Sequence, residues 1–360
     1  MLPKAYLNTR VQVKVTTQPK PGMIATIPVS SEVGNMVLNP VTNLVYFIQN
    51  DNGLGVLDAT TNKVITTVKT GQMPGNVIIN PRTNRIYVSN WLDGSVSIIN
   101  GLTNKVITTI KVGERCDEIA MNTRTNKIYA ASISLSSRNG KLTVINGKTN
   151  RIQKQLPFKG RPSTIVADDV TNRIYITNTM NNTVSVLNGS NHTIIKTIKV
   201  GRNPVVTPVL SKKSHCLYIP NNLSRYCSIL NLGTNNVHNL QLGRLQSDII
   251  LNPVTNRIYI TSAQIESKGR MYVIDGGTNR VIQSMTVPTF TSMFINPNTN
   301  HLYLSVDNEN GPDPLTVYQG SSLKRIASLP PVDFTGGVAI NPLTNRIYMG
   351  ADKKIVVIQD

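Results

Sequence analysis

Few side chains in this sequence could support catalysis. Glu118 and Asp248 each precede a short apolar run. Two such carboxylates can act as a general acid and base or supply oxygen ligands to a cation. Cys116 stands two residues before Glu118 and could be a nucleophile if a histidine activated its thiol. None of the three cysteines shows the C-x-x-C spacing, so we expect neither a disulfide scaffold nor a zinc-cysteine site.

The four histidines lie in or beside polar turns, at His192, His215, His238 and His301. None forms an H-x-H or H-E-x-x-H phrase, and the serine phrase G-x-S-x-G is also absent from the sequence. Metal-histidine catalysis is therefore disfavoured, and an inert, partly buried thiol is the favoured interpretation of Cys116. We predict no catalytic residue, no metal site and no cofactor.

The elements that position these side chains are set by an internal repeat. A phrase of the form Asn-Pro-x-Thr-Asn-basic-apolar-Tyr recurs, with variations, at intervals of 41 to 46 residues. Its tyrosines are Tyr46, Tyr87, Tyr129, Tyr175, Tyr218, Tyr259, Tyr303 and Tyr348. Eight copies account for nearly the whole 360-residue chain and leave no room for a second domain.

One unit, residues 76–113, illustrates the local structure. Strands are predicted at 77–79, 85–89, 95–99 and 105–111. The Asn-Pro-x-Thr-Asn phrase is a turn, because proline fixes φ and asparagine tolerates the left-handed region. Asp93-Gly94 has the composition of a type I′ hairpin turn. Four antiparallel strands repeated eight times predict an all-β fold, an eight-bladed β-propeller.

These repeats resemble the YVTN family of β-propeller repeats. The stretches Tyr87-Val88-Ser89-Asn90 and Tyr175-Ile176-Thr177-Asn178 carry the resemblance, which covers about residues 24–360. Unit 5 departs from the pattern, since Ser-Lys-Lys-Ser-His at 211–215 replaces the usual turn. The resemblance implies the propeller fold and, in many relatives, a role at the cell surface or envelope.

The last repeat contains three strands where the others contain four. Residues 23–29 resemble an outer strand, precede the first repeat, and would complete the last blade. Closing the ring in this way removes two open sheet edges. We therefore predict a single propeller domain over residues 24–360 and an N-terminal extension over 1–23, in which residues 11–15 alternate like a further strand.

The net charge of +19 is distributed unevenly between the two faces of the predicted ring. The face that carries the repeat turns has fifteen basic and four acidic side chains, whereas the opposite face has twelve basic and thirteen acidic ones. Basic residues that could bind a polyanion are Arg85, Lys127, Arg173, Arg257 and Arg346. Alternatively, their long stems cover the ends of the sheets and their charges are simply solvated.

The opposite face is predicted to form a polar funnel at the mouth of the central channel. The starts of the inner strands place there Asn35, Asn76, Glu118, Thr164, Thr207, Asp248, Ser292 and Gly337. The ends of the second strands would add Gln49, Asn90, Ser132, Asn178, Asn221 and Ser262. Such a rim could orient a polar ligand, with Trp91 as an anchor, or it could be polar only because the channel is wet.

Three loops on the funnel face are longer than the others, at 132–141, 262–270 and 306–314. Insertions in repeat proteins often lie on the binding face. Residues 307–311, Asp-Asn-Glu-Asn-Gly, faintly resemble a calcium loop but lack its regular spacing and its distal glutamate.

These features predict a non-catalytic binding scaffold that recognises a protein or a small polar ligand at the funnel face, with a basic opposite face able to bind polyanions. Two alternatives stay open: a lactonase-like or lyase-like enzyme that uses Glu118 and Asp248, and a nucleic-acid-binding protein. Apolar runs such as 355–358 are far shorter than the ~20 residues of a membrane span, so we expect no insertion in a membrane. We also expect a monomer. With no signal-peptide core visible, the chain would be cytoplasmic if complete and at the surface or envelope if a signal has been removed.

Overall fold

The computed structural model describes residues 20–49, 53–137, 139–263, 268–289, 291–306 and 311–360, with Asp117 described by its backbone alone. This part of the chain contains thirty-two β-strands and no helix. The strands form eight four-stranded antiparallel sheets, as the repeat predicts. The eight-bladed propeller is confirmed.

Each of the first four blades is formed by consecutive strands. Blade 1 contains β2 (Val33–Asn39), β3 (Leu44–Gln49), β4 (Gly53–Asp58) and β5 (Lys63–Val68). Blade 2 contains β6 (Pro74–Asn80), β7 (Arg85–Asn90), β8 (Ser95–Asn100) and β9 (Lys105–Lys111). Blade 3 contains β10 (Arg115–Asn122), β11 (Lys127–Ile133), β12 (Gly140–Asn146) and β13 (Arg151–Phe158). Blade 4 contains β14 (Pro162–Asp168), β15 (Arg173–Asn178), β16 (Thr183–Asn188) and β17 (Thr193–Lys199).

The remaining blades follow the same order until the last. Blade 5 contains β18 (Val209–Ser211), β19 (Cys216–Ile219), β20 (Tyr226–Asn231) and β21 (Val237–Gln241). Blade 6 contains β22 (Gln246–Asn252), β23 (Arg257–Ser262), β24 (Lys268–Asp275) and β25 (Arg280–Pro288). Blade 7 contains β26 (Thr291–Asn296), β27 (His301–Val306), β28 (Pro314–Gln319) and β29 (Arg325–Pro331). Blade 8 contains β30 (Phe334–Asn341), β31 (Arg346–Ala351), β32 (Lys354–Gln359) and β1 (Gly22–Pro28).

The hydrophobic core lies between neighbouring blades. Tyr46 of blade 1, for example, packs in one cluster with Val77, Ile86 and Val88 of blade 2. The repeated tyrosine is buried in every blade. Because each sheet buries both of its faces against its neighbours, its middle strands are apolar on both faces, whereas the outer strands are largely exposed. The first strand of each blade faces the central channel.

Where the first residue of the repeat phrase is asparagine, it joins its turn to the next blade. Its Oδ1 accepts the N–H two residues later, as when the Val41 N–H bonds to Asn39, and its Nδ2 donates to the neighbouring blade. The pairs between blades, at 2.5 to 3.1 Å, are Asn39 and Asn84, Asn80 and Asn126, Asn122 and Asn172, Ser211 and Asn256, Asn252 and Asn300, and Asn341 and Asn43. The second asparagine has positive φ, for example 48° at Asn84, as predicted.

Blade 5 retains this geometry despite its different turn sequence. The Ser211 hydroxyl replaces the asparagine side chain, accepting the Ser214 N–H and donating to Asn256. His215 adopts the left-handed conformation in place of asparagine, with φ 51°. The type I′ turn predicted at Asp93-Gly94 is wrong, because only Gly94 has positive φ and a type I′ turn needs two such residues.

The N-terminal strand β1 closes the ring, as predicted. It pairs antiparallel with β32, so Gly22 lies opposite Gln359 and Pro28 opposite Lys354. Asp360 secures the same blade to blade 7, where its carboxylate accepts hydrogen bonds from Asn296 at 2.7 Å and lies 2.5 Å from Nδ1 of His301. The predicted strand at 11–15 and the acidic residues Asp307 and Glu309 lie outside the described residues.

Candidate ligand-binding site in the central channel

Three of the predicted funnel residues meet in one cavity at the mouth of the channel. Asn35, Asp248 and Ser292 come from blades 1, 6 and 7, and they line a volume of about 490 Å³ together with residues of β30. Each lies near the start of an inner strand, so the strand ends bring together residues that are more than 200 positions apart in the chain. The volume is within the usual range of small-molecule sites, about 300–1,000 Å³.

Asp248 supplies the charge of this cavity. Its Oδ1 accepts the Ile249 N–H at 2.8 Å, and its Oδ2 accepts the Met293 N–H of blade 7 at 2.7 Å. Burial raises the pKa of Asp248 to about 6, against the lowering effect of these two N–H groups. The carboxyl is therefore mostly ionised at neutral pH. Each oxygen retains a second lone pair for a ligand.

Below the polar mouth, the channel is apolar. A second cavity of about 670 Å³ is lined by residues such as Leu210, Ile250, Phe294 and Ile340, from the inner strands of blades 5 to 8. The funnel prediction missed this part of the channel. The sequence does indicate it, through the apolar runs of the inner strands, such as Ile249-Ile250-Leu251. Consecutive residues of a strand point to opposite sides, so a run of apolar residues means that the side facing the channel is apolar too.

The other predicted funnel residues are placed differently. Asn76 donates from Nδ2 to Oε1 of Glu118 at 2.9 Å, which joins blades 2 and 3 on the far side of the ring from Asp248. Thr164 is buried and bonded to Thr177 of its own strand pair at 2.8 Å. Thr207 is exposed and precedes the shortened strand β18. Glu118 and Asp248 therefore take part in separate contacts.

The ends of the second strands do not line the funnel, contrary to expectation. Gln49, Asn90, Ser132, Asn178, Asn221 and Ser262 are all buried, with at most 2% exposure. Asn90 shows the reason, because its amide donates to Ser95 and Ser97 inside the blade while it accepts the Gly71 N–H. These side chains satisfy buried backbone and hydroxyl groups where the loops leave the sheet.

Trp91 packs locally. Its ring lies beneath the guanidinium of Arg115, with 4.5 Å from Cζ to the ring centroid, and Arg115 also donates to the Leu92 carbonyl at 2.9 Å. The indole is half-buried between blades 2 and 3. This arrangement favours a role in joining two loops over a role as a free anchor.

On the opposite face, four of the five predicted polyanion-binding residues bridge to the next blade. Arg85 donates to Oδ1 of Asn150 at 2.8 Å, and three others donate to backbone carbonyls. Those three contacts are Arg173 with Leu232, Arg257 with Ser321, and Arg346 with Ala59. Lys127 donates to Gln153 within its own blade. All five are half-buried, which favours the interpretation that they cover and join the ends of the sheets.

Among the described residues, no group of three or more His, Cys, Asp or Glu side chains comes together as a metal site would require. The three cysteines, all described, are buried and form no disulfide, and burial raises the pKa of Cys227 to about 12. In the described part of the chain no helix is long and apolar enough to cross a lipid bilayer.

No family model matches this chain, and no curated protein matches it. Solved structures are similar in fold. The computationally designed Ika8 protein superposes with a TM-score of 0.74 at 11% identity, covering 94% of this chain and 99% of that one. Sqt1 of Saccharomyces cerevisiae superposes with a TM-score of 0.76 at 10% identity, with the same coverage. At these identities the likeness shows the propeller fold alone, and membership of the YVTN family stays a prediction.

Proposed function

We propose that this protein is a non-catalytic binding scaffold that takes a ligand into the central channel from the funnel face. The observation that carries the proposal is the shared cavity of Asn35, Asp248 and Ser292. A concave site with a few convergent polar groups, one of them a carboxyl with a raised pKa, is the usual form of a small-molecule site.

The chemistry of the cavity supports binding more than turnover. Asp248 is the only titratable side chain among its described lining residues, whereas hydrolases and lyases commonly pair such a group with a second proton-transferring group or a metal. A lactonase-like or lyase-like activity remains the competing hypothesis. A lactone panel assayed with the wild type, Asp248→Asn and Glu118→Gln tests it, and turnover that is lost with either substitution would overturn the scaffold proposal.

The channel site is tested by filling it. Ser292→Trp places a large side chain in the cavity, and Leu92→Trp places the same side chain on an exposed loop of the same face. We would screen small polar compounds by ligand-observed NMR against both variants and the wild type. Compounds that bind the wild type and Leu92→Trp but not Ser292→Trp would support the proposal. Binding that is equal in all three proteins would contradict it.

The basic face is the second surface of this proposal. Since the turn-flanking arginines are engaged with neighbouring blades, the free charges are those of exposed turn residues such as Arg82, Arg124 and Lys148. Each contact with a phosphate would steepen the plot of log binding constant against log salt concentration by roughly 0.9 for duplex DNA. Affinities for DNA, RNA and heparin across a salt series test this, with Arg82→Gln/Arg124→Gln/Lys148→Gln as the neutralised variant. Preference for nucleic acid over heparin would favour the nucleic-acid alternative, and no binding would remove this surface from the proposal.

A further inference from the structure

The polar mouth and the apolar interior of the channel adjoin, because Phe294 and Val338 line both cavities. The Phe294 ring is fixed at this junction, stacked on Tyr303 with ring centroids 4.6 Å apart. The site can therefore hold a ligand with a polar end and an apolar body.

The cavity also has a defined charge. Among the described residues that line the two cavities, contributed by β2, β18, β22, β26 and β30, Asp248 is the only one that titrates. Asp333 precedes Phe334 but is exposed and does not line the cavity. A carboxylate with no cationic neighbour in a concave site attracts a cation and repels an anion. The positive net charge of the protein does not oppose this, because the funnel face is nearly balanced and exposed charges are screened within about 10 Å.

The mouth contains an aromatic ring as well. Phe334 is half-buried, lines the same cavity as Asp248, and lies 6.1 Å from Phe294 between ring centroids. The face of an aromatic ring attracts an ammonium group, and a carboxylate nearby adds a charge-assisted hydrogen bond. Both groups favour the same kind of ligand head.

From these observations we infer that the channel binds a single-headed amphiphile, whose protonated amine lies at Asp248 and whose aliphatic or aromatic body fills the apolar cavity between blades 5 and 8. The inference rests on the proposed function and adds the ligand class. The amine donates N–H hydrogen bonds to the free lone pairs of the carboxylate, and the body buries apolar surface against Ile250, Phe294 and Ile340.

The test measures the binding of four probes by isothermal titration calorimetry at pH 7.5, each below its aggregation concentration. n-Octylammonium is expected to bind about tenfold or more tightly than octan-1-ol, because a charge-assisted hydrogen bond replaces a neutral one. Octanoate should not bind, and ethylammonium, which lacks the body, should bind more weakly than n-octylammonium. Asp248→Asn should remove the preference for the amine over the alcohol. Asp352→Asn, an equal charge change at an exposed position of the same face, should leave the preference unchanged.

A second measurement uses the wild type and does not depend on a variant that folds. Because the pKa of Asp248 is about 6, n-octylammonium binding should weaken as the pH falls from 7.5 to 5, whereas octan-1-ol binding should not change. If the amine and the alcohol bind equally at every pH, the amine assignment is wrong and the channel proposal stands. If no probe binds and Ser292→Trp also has no effect in the NMR screen, the amine assignment and the channel proposal both fail.

Discussion

His192 lies where five other repeats have an asparagine. In blade 2 the equivalent Asn104 accepts the hydroxyl of Tyr46 at 2.6 Å, which joins two blades. In blade 4 this position is His192, whose two ring nitrogens are buried and have no hydrogen-bond partner. The hydroxyl of Tyr129, which faces it, is also buried and unpartnered. We predict that His192→Asn stabilises the protein by supplying the missing acceptor.

The magnitude follows from the contacts. One neutral hydrogen bond contributes about 1 kcal/mol, and a left-handed conformation such as the φ of 58° at His192 suits asparagine, whose short polar side chain bonds locally, better than histidine. The variant loses the edge contact between the two rings, whose centroids are 6.4 Å apart, worth about 0.5 kcal/mol. It no longer buries two unpaired ring nitrogens, which offsets that loss. The net gain is about 1 kcal/mol, or roughly 1–2 °C in Tm for a chain of this length.

The dependence of the gain on pH provides a sharper test. Burial lowers the pKa of His192 below its ordinary value of 6.5, and Lys127 and Lys154 lower it further. Above pH 6.5 both folded and unfolded histidine are neutral, so the titration contributes nothing. Below it the unfolded chain takes up the proton first, and the wild type loses stability. The difference in free energy of unfolding between variant and wild type should therefore widen from pH 7.5 to 5.5, by at most about 1.4 kcal/mol for each pH unit, and the difference in Tm should widen with it.

Differential scanning calorimetry with a double-mutant cycle tests whether the gain comes from a new hydrogen bond to Tyr129. Tyr129→Phe should be nearly neutral in the wild type, where the hydroxyl has no partner, but should cost about 1 kcal/mol in the His192→Asn background. The matched control is Asn150→His, which should be destabilising because it removes the acceptor of Arg85 in the neighbouring blade. A His192→Asn protein that is less stable than the wild type at both pH values, with no coupling to Tyr129, would refute the reasoning.

Three further outcomes follow from the contacts between blades. Asp360→Asn should lower the free energy of unfolding by about 3 kcal/mol, measured by calorimetry, because it breaks the buried pair with His301. The pKa of Asp360 is lowered in the folded protein, so the wild type loses stability below pH 4 as this carboxyl protonates. The variant should lose less stability over that pH range. Gly337→Ala should destabilise the ring, since a Cβ there would lie 2.0 Å from a backbone oxygen of β2, whereas Gly75→Ala, with its nearest atom at 3.6 Å, should lower Tm by much less. Arg85→Ala should lower stability by about 1.5 kcal/mol yet leave the salt dependence of heparin binding unchanged, which denaturation and a salt titration would measure.

The fold could be predicted from the sequence because the repeated residues have local structural roles. Asn39 and Asn43 specify a turn by their own side-chain and backbone preferences, and variants of the same phrase recur along the chain. The closing strand was predictable because its pattern resembles the outer strands and the last repeat lacked one. Even the substitution of Ser211 for asparagine follows a rule, since a hydroxyl can replace one acceptor and one donor.

The candidate site was predicted only in part, because it depends on distances across the ring. The starts of the inner strands predict Asp248 and Ser292 at the channel mouth, and both line the cavity there. Periodicity does not show that β2 and β30 approach closely at Gly337 while β26 and β30 stand further apart, and this difference opens the cavity. The burial of Asn90 was missed for a different reason, since its partners come from a loop and a neighbouring strand that periodicity does not place beside it.

Ring closure also determines the order in which the protein can assemble during synthesis. Seven blades are each built from one continuous stretch, so their strands leave the ribosome together and can pair at once. Among the described strands β1 is made first, and its partner β32 follows all the others, after more than 300 intervening residues. Until β32 emerges, β1 keeps an unpaired edge that could associate with another nascent chain. The hydrogen bonds of Asp360 with blade 7 form only after β32 is made, and they link blade 8 to blade 7 where the ring closes.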